Sequence, residues 1–166
     1  MYRLSVFDEG DWRPHRYPLT YGPVEGEAVA AATDEHPVRL LASLLDALMP
    51  PVTLRLEVLE PMGLSQSDPV SWTAPPSVLR EWLEANSTWL EGDARLAVTL
   101  SDSEGNEARF DEHDLIWLIG DLGRFEPFLL AAGLLPGEIE IPFPHGHQYR
   151  EEWTPIFEQM LKRLRS

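Results

Sequence analysis

The 166-residue chain contains no cysteine. That excludes disulfide scaffolds, thiolate metal sites, iron–sulfur clusters and cysteine nucleophiles. Lysine is nearly absent too: Lys162 is the only one, the other twelve basic residues are arginine, and 28 acids leave a formal net charge of -15. A chain so poor in positive charge lacks the basic stripe that phosphate-backbone binding requires, so no direct nucleic-acid binding is expected. No segment approaches the roughly 20 apolar residues of a membrane span, and the start, Met1 to Glu9, has no long apolar stretch of the signal-peptide kind. The expectation is a soluble, cytoplasmic protein with no membrane contact, in which the Asn86-Ser87-Thr88 triplet is a chance match to a glycosylation acceptor. Calcium loops, phosphate loops, dinucleotide-binding glycine turns and nucleophile elbows are missing as well.

What is present suffices for a core. Apolar residues make up 43% of the chain, and its six Trp, six Phe and four Tyr are spread along the whole length. One domain spanning 1–166 is the expectation at this size, with no repeat or linker to divide it.

Period-2 alternation marks strands near 2–7, 52–60, 94–101, 106–110 and 138–142. The clearest is 52–60, with Val52, Leu54, Leu56 and Val58 on one face. In 2–7, Tyr2, Leu4 and Val6 alternate with Arg3 and Ser5. The turn Ser101 to Asn106 joins two strands as a hairpin. Helical spacing and capping residues mark helices near 37–49, 76–86, 111–119, 124–132 and 151–165. Pro37 and Pro76 suit a first turn, Gly133 followed by Leu134 suits a C-terminal cap, and Gly120-Asp121-Leu122-Gly123 reads as an N-terminal cap. The segment 111–119 is ambiguous. Acids at its first and fourth positions favour a helix start, whereas the run Leu115 to Ile119 also suits a buried strand; the helix is preferred. Two proline-rich segments, 8–26 and 61–75, read as loops, the first with a short strand around Tyr17 to Tyr21. Together these elements predict an α+β fold with a small, mostly antiparallel sheet packed by helices.

Three groups of residues could carry function. Acids concentrate between Asp102 and Glu126, and Asp102, Glu104, Glu107, Asp111, Glu112 and Asp114 form a candidate patch for a basic protein surface. Trp12, Tyr17, Tyr21 and Trp72, with Met62, Leu64 and Val70, lie in the two loops and could form an aromatic contact surface. His145-Gly146-His147 with His113 or Asp114 could hold a divalent transition metal, since two imidazoles and one further ligand leave positions open for a substrate. No catalytic residue is assigned and no cofactor is required. The leading expectation is a non-enzymatic binding protein (inhibitor, immunity-type or adaptor) with a basic partner. The alternatives are a metal-dependent enzyme, perhaps a hydrolase, and a homo-oligomeric structural subunit.

Overall fold

A computed structural model describes residues 3–24, 28–33, 36–59 and 68–165. Tyr2, Asp34, Glu35, Glu60, Met62 and Leu64 lie outside the described residues. The chain begins with β1 (Leu4–Asp8), β2 (Asp11–Pro14), β3 (Thr20–Pro23) and β4 (Val29–Ala32). Next come α1 (Pro37–Ser43), a 3-10 turn (Leu44–Ala47), β5 (Val52–Val58), β6 (Val70–Ala74) and α2 (Pro76–Gly92). The second half runs through β7 (Leu96–Ser101), β8 (Glu107–Phe110), β9 (Leu115–Ile119), α3 (Leu122–Ala131), β10 (Leu135–Pro136), β11 (His145–His147), a 3-10 turn (Glu151–Trp153) and α4 (Thr154–Leu164).

These strands form two sheets. Eight strands lie in the order β10-β3-β4-β9-β8-β7-β5-β6, antiparallel throughout except where β10 meets β3, and a separate three-stranded sheet has the order β11-β1-β2. The fold is α+β, with more sheet than the sequence alternation reveals.

The alternation of β5 does what its pattern implies: Val52, Leu54 and Leu56 are buried with Val98, Leu100, Ala108, Phe110 and Ile116 in the main core, which also takes Leu41, Leu45, Leu83 and Phe125 from the helical segments. A second, smaller core lies on the opposite side of β4 and β9. Ala30, Ala32 and Leu115 meet Leu4, Tyr17, Val24 and Ile139 there, with Trp117 and Ile141 at the edge. Strands β4 and β9 are therefore buried on both faces, one side chain set in each core.

That double burial corrects the reading of 111–119. Leu115–Ile119 is a central strand, registered with β4 through Ala31↔Ile116 and with β8 through Phe110↔Ile116. The acids before it close a turn instead of opening a helix. The Asp111 amide bonds the Leu115 carbonyl at 3.1 Å, and Asp114 takes a left-handed backbone conformation with φ of 60°. Other boundaries move as well. The helix foreseen over 37–49 tightens into the 3-10 turn after Ser43, and the one foreseen over 76–86 runs on to Gly92. The helix foreseen over 151–165 spans 154–164, after the 3-10 turn. Of the strand foreseen over 138–142, only an isolated parallel bridge between Val24 and Ile139 forms. The loop foreseen over 8–26 also contains β2, its short strand foreseen around Tyr17 to Tyr21 is β3 at Thr20–Pro23, and β6 begins inside the loop foreseen over 61–75.

Capping behaves as the sequence suggests. Asp121 accepts from the Gly123 amide at 3.0 Å, and α3 ends with the Gly133 amide on Leu130 and the Leu134 amide on Leu129, the two reverse bonds of a Schellman cap. No helix among the described residues is long and apolar enough to cross a membrane.

Candidate metal centre

The three-stranded sheet and the β8–β9 turn meet at one place. Strand β11 pairs with β1 through Val6↔His145 and Leu4↔His147, so His145 and His147 share a face of the small sheet with the half-buried Val6 and the buried Leu4. Gly146 between them lies against the indole of Trp12, where a Cβ would stand 3.2 Å from the ring. Gly146 thus faces Trp12 and the buried Ser5, and residues 145 and 147 alternate to the other side of the strand. His113 arrives from the β8–β9 turn of the large sheet. Its ring centre lies 5.3 Å from that of His145 and 5.0 Å from that of His147, and the latter two are 5.3 Å apart. One donor nitrogen from each ring falls within 4.8 Å of the others.

These separations are compatible with a shared ion. A tetrahedral ion with metal–nitrogen bonds of about 2.05 Å sits about 3.2 Å from each ring centre and holds the centres about 5.2 Å apart; three ligands at the right angles of an octahedral face bring them to about 4.5 Å. The ring separations lie nearer the tetrahedral figure.

Hydrogen bonding fixes the tautomers. His145 Nδ1 is 2.7 Å from the Pro142 carbonyl, which only accepts, so Nδ1 carries the hydrogen and Nε2 keeps its lone pair. His113 Nδ1 is 3.1 Å from the Asp111 carboxylate, so Nδ1 carries a hydrogen there too and Nε2 is the atom left to face an ion. His147 Nε2 is fully enclosed by protein. Second partners of this kind, a carbonyl and a carboxylate, orient metal-binding imidazoles and raise their basicity.

Asp111 serves as orienter and is saturated in that role. Its Oδ1 accepts from the His113 amide at 2.9 Å and the Leu115 amide at 3.4 Å, while Oδ2 accepts from His113 Nδ1 and Trp117 Nε1. With every lone-pair direction engaged, it has no site left for an ion even though its carboxylate lies close to His113 and Glu112. Burial alone lifts the Asp111 pKa, but the His113 hydrogen bond and charge and the Trp117 donor outweigh it and hold the carboxyl below its ordinary value. For His113, burial lowers the pKa, and the Asp111 hydrogen bond with the charges of Asp111, Glu112 and Asp114 raises it further than burial lowers it.

Beneath the turn lies Arg3, fully buried. Its Nε donates to the Asp93 carbonyl at 2.8 Å, its two terminal nitrogens donate to the carbonyls of Asp111 and Leu96, and its carbon stands 4.4 Å over the Phe110 ring. The Arg3 amide donates to Asp114 Oδ2 at 2.8 Å. Asp114 thus ties β1 to the turn and stays outside the converging imidazole set. Its burial pushes the carboxyl up to about 6, against the pull of Arg3. Tyr17, 4% exposed, has its phenol pKa raised by burial and then by the charges of Asp111 and Asp114.

The remaining candidates scatter. Within the acidic stretch, Asp102 and Asp111 turn inward, whereas Glu104 is exposed and Glu107 and Glu112 are half-buried. Asp102 accepts from the amides of Met49, Glu104 and Asn106 and from the Asn106 side chain, organising the hairpin turn. Of the loop aromatics, Tyr17 and Tyr21 are buried, Tyr21 donating to Glu126 at 2.7 Å, and Trp72 packs edge-on against Trp82. Trp12 is half exposed. Sequence reasoning missed the supports, Asp111 as orienter, Trp117 as its donor and Arg3 as strut; the Asp-x-His spacing of 111 and 113 was the available signal.

No family model, no curated protein and no solved structure matches this chain.

Proposed function

We propose that this protein binds one tetrahedral divalent ion, zinc being the best fit, through His113, His145 and His147, and that the bound ion serves metal-assisted hydrolysis or hydration. The observation that carries this reading is the spacing of the three imidazoles, 5.0 to 5.3 Å between ring centres. All-imidazole ligation suits zinc. Three protein ligands with a fourth position open is the arrangement of catalytic zinc sites, while structural sites are closed by four. In such a site zinc brings the pKa of a bound water to about 7. The chain's own residues hold the rings: Asp111 and the Pro142 carbonyl fix two tautomers, and Arg3 steadies the turn carrying His113. The competing reading, an acidic partner for a basic protein, draws on the net charge of -15 but loses local support where Asp102 and Asp111 point inward.

The test is reconstitution with zinc, followed by elemental analysis and thermal unfolding. Expected are about one zinc per chain and a stabilisation of about 2.7 kcal/mol at free zinc 100-fold above Kd. For a domain of this size that is a Tm rise of roughly 5 to 10 °C. His113→Ala and His145→Ala remove both effects, and zinc-dependent hydrolysis of a neutral activated ester disappears with them. Substoichiometric metal and an unchanged Tm in zinc, cobalt and nickel would overturn the proposal.

A further inference from the structure

The imidazoles come from two different sheets. His145 and His147 belong to the three-stranded sheet, and His113 belongs to a turn of the eight-stranded one. Any ion held by all three spans the junction. From this we infer, resting on the metal reading above, that the ion acts as a latch: its occupancy sets how firmly β11 and the β1–β2 hairpin are docked on the large sheet.

Strand β11 is three residues long, lies at the edge of its sheet and pairs only with β1. Its antiparallel ladder with β1 is only three residue pairs long, and it is flanked by backbone bonds from Phe7 to Pro144 at 3.3 Å, Gln148 to Arg3 at 2.7 Å and Ala94 to Gln148 at 2.8 Å. Side-chain support comes from Ser5, whose hydroxyl donates to the Gly146 carbonyl at 3.0 Å and accepts from the Gln148 side-chain Nε2 at 2.9 Å. All three rings are only half-buried, so β11 contributes little apolar burial of its own. Segments with few buried apolar contacts open at low free energy.

A latch makes a quantitative prediction that a passive site does not. If opening of β11 breaks the site, amide exchange through that opening slows by a factor of 1 + [Zn]/Kd, about 100-fold at free zinc 100 times Kd. The reporters are the amides of Phe7, His15, Ala94 and Gln148, whose hydrogen bonds join β1, β2, β11 and the start of β7. Amides of the Asp102 turn and the α3 cap serve as internal references. Hydrogen exchange on the full chain, with zinc sulfate or with a chelator, is read by mass spectrometry while elemental analysis monitors loading. The expected result is a zinc-dependent slowing at the four junction amides, at most a small change at the references, and no zinc response in His145→Ala. If zinc is bound stoichiometrically and the junction amides exchange at the same rate with chelator as with zinc, the latch is refuted and the metal site stands. If no zinc binds, both fail.

Discussion

Replacing Arg3 by methionine should cost more stability than its place near the start of the chain implies. The guanidinium is fully buried and serves the carbonyls of Asp93, Asp111 and Leu96 at once. Methionine replaces the aliphatic stem but stops short of the guanidinium carbon that stands over Phe110, so the substitution removes the hydrogen bonds and leaves a small void beside them. Each carbonyl left dry without a donor costs about 1 to 3 kcal/mol. Three at the lower end give about 3 kcal/mol, in line with the roughly 3 to 5 kcal/mol seen when one partner of a buried charged network is removed. Relief of the guanidinium's own desolvation offsets part of this, so about 3 kcal/mol is the working figure. In a domain of this size that lowers Tm by roughly 6 to 12 °C. Guanidinium-chloride unfolding and calorimetry on wild type, Arg3→Met and Arg3→Lys read the effect. The lysine variant should fall between, since an ammonium cannot span three carbonyls held in a fork. A Tm within about 2 °C of wild type for Arg3→Met would refute the argument, showing that water reaches those carbonyls or that the strand shifts to satisfy them.

Three further outcomes follow from the same structure. Asp111→Asn keeps the shape but weakens the charge-assisted support of His113, and zinc affinity, measured by competition with a chelating dye, should drop about 10- to 100-fold. Burial lifts the Asp102 pKa, but hydrogen bonds from the Asn106 side chain and the amides of Met49, Asn106 and Glu104 outweigh it and bring the carboxyl to about 2. Because the folded pKa lies below the unfolded 3.8, this contribution is complete above that pH and is lost as pH falls toward 2. The loss is roughly 2 kcal/mol, and the acid limb of the denaturant midpoint should flatten correspondingly in Asp102→Asn. Gly120 has φ of 97°, and a Cβ there would lie 2.9 Å from the Asn106 Cα, so Gly120→Ala should destabilise by about 1 to 3 kcal/mol on a denaturant curve.

How much of this was legible depended on how many faces of an element are buried. Strand β5, with one face in the main core and the other carrying Thr53, Arg55 and Glu57, alternates cleanly and is found from sequence alone. Strand β9, with Ile116 in one core and Leu115 in the other, reads as an unbroken apolar run, and the acids of the preceding turn then mimic a helix cap. The same cause hid Arg3 and Ser5. Their alternation with Leu4 places them outward, yet both are buried, because the small sheet's other neighbours leave that side no solvent. Strand β2 was obscured by Pro14, and the strand foreseen around Tyr17 to Tyr21 lies a few residues later and ends on Pro23; both prolines sit at the ends of short strands, where a missing N–H costs little. At the candidate site, the His145–His147 pair announces itself through its spacing. The approach of His113 does not, because it depends on β11 pairing with β1 and on Asp114 receiving the Arg3 amide, contacts between segments more than a hundred residues apart.

The pairing of β11 with β1 also sets a clock. Every strand of the eight-stranded sheet precedes His145 in the chain, so the large sheet's residues are all synthesised while the imidazole cluster is still incomplete. At roughly 5 to 20 residues per second, His113 leaves the peptidyl-transferase centre roughly 2 to 6 s before His145 does. Under the proposed function, ion capture by all three rings follows synthesis of every strand of the large sheet, and a loaded chain has, by that fact, brought the β8–β9 turn together with β11 and β1.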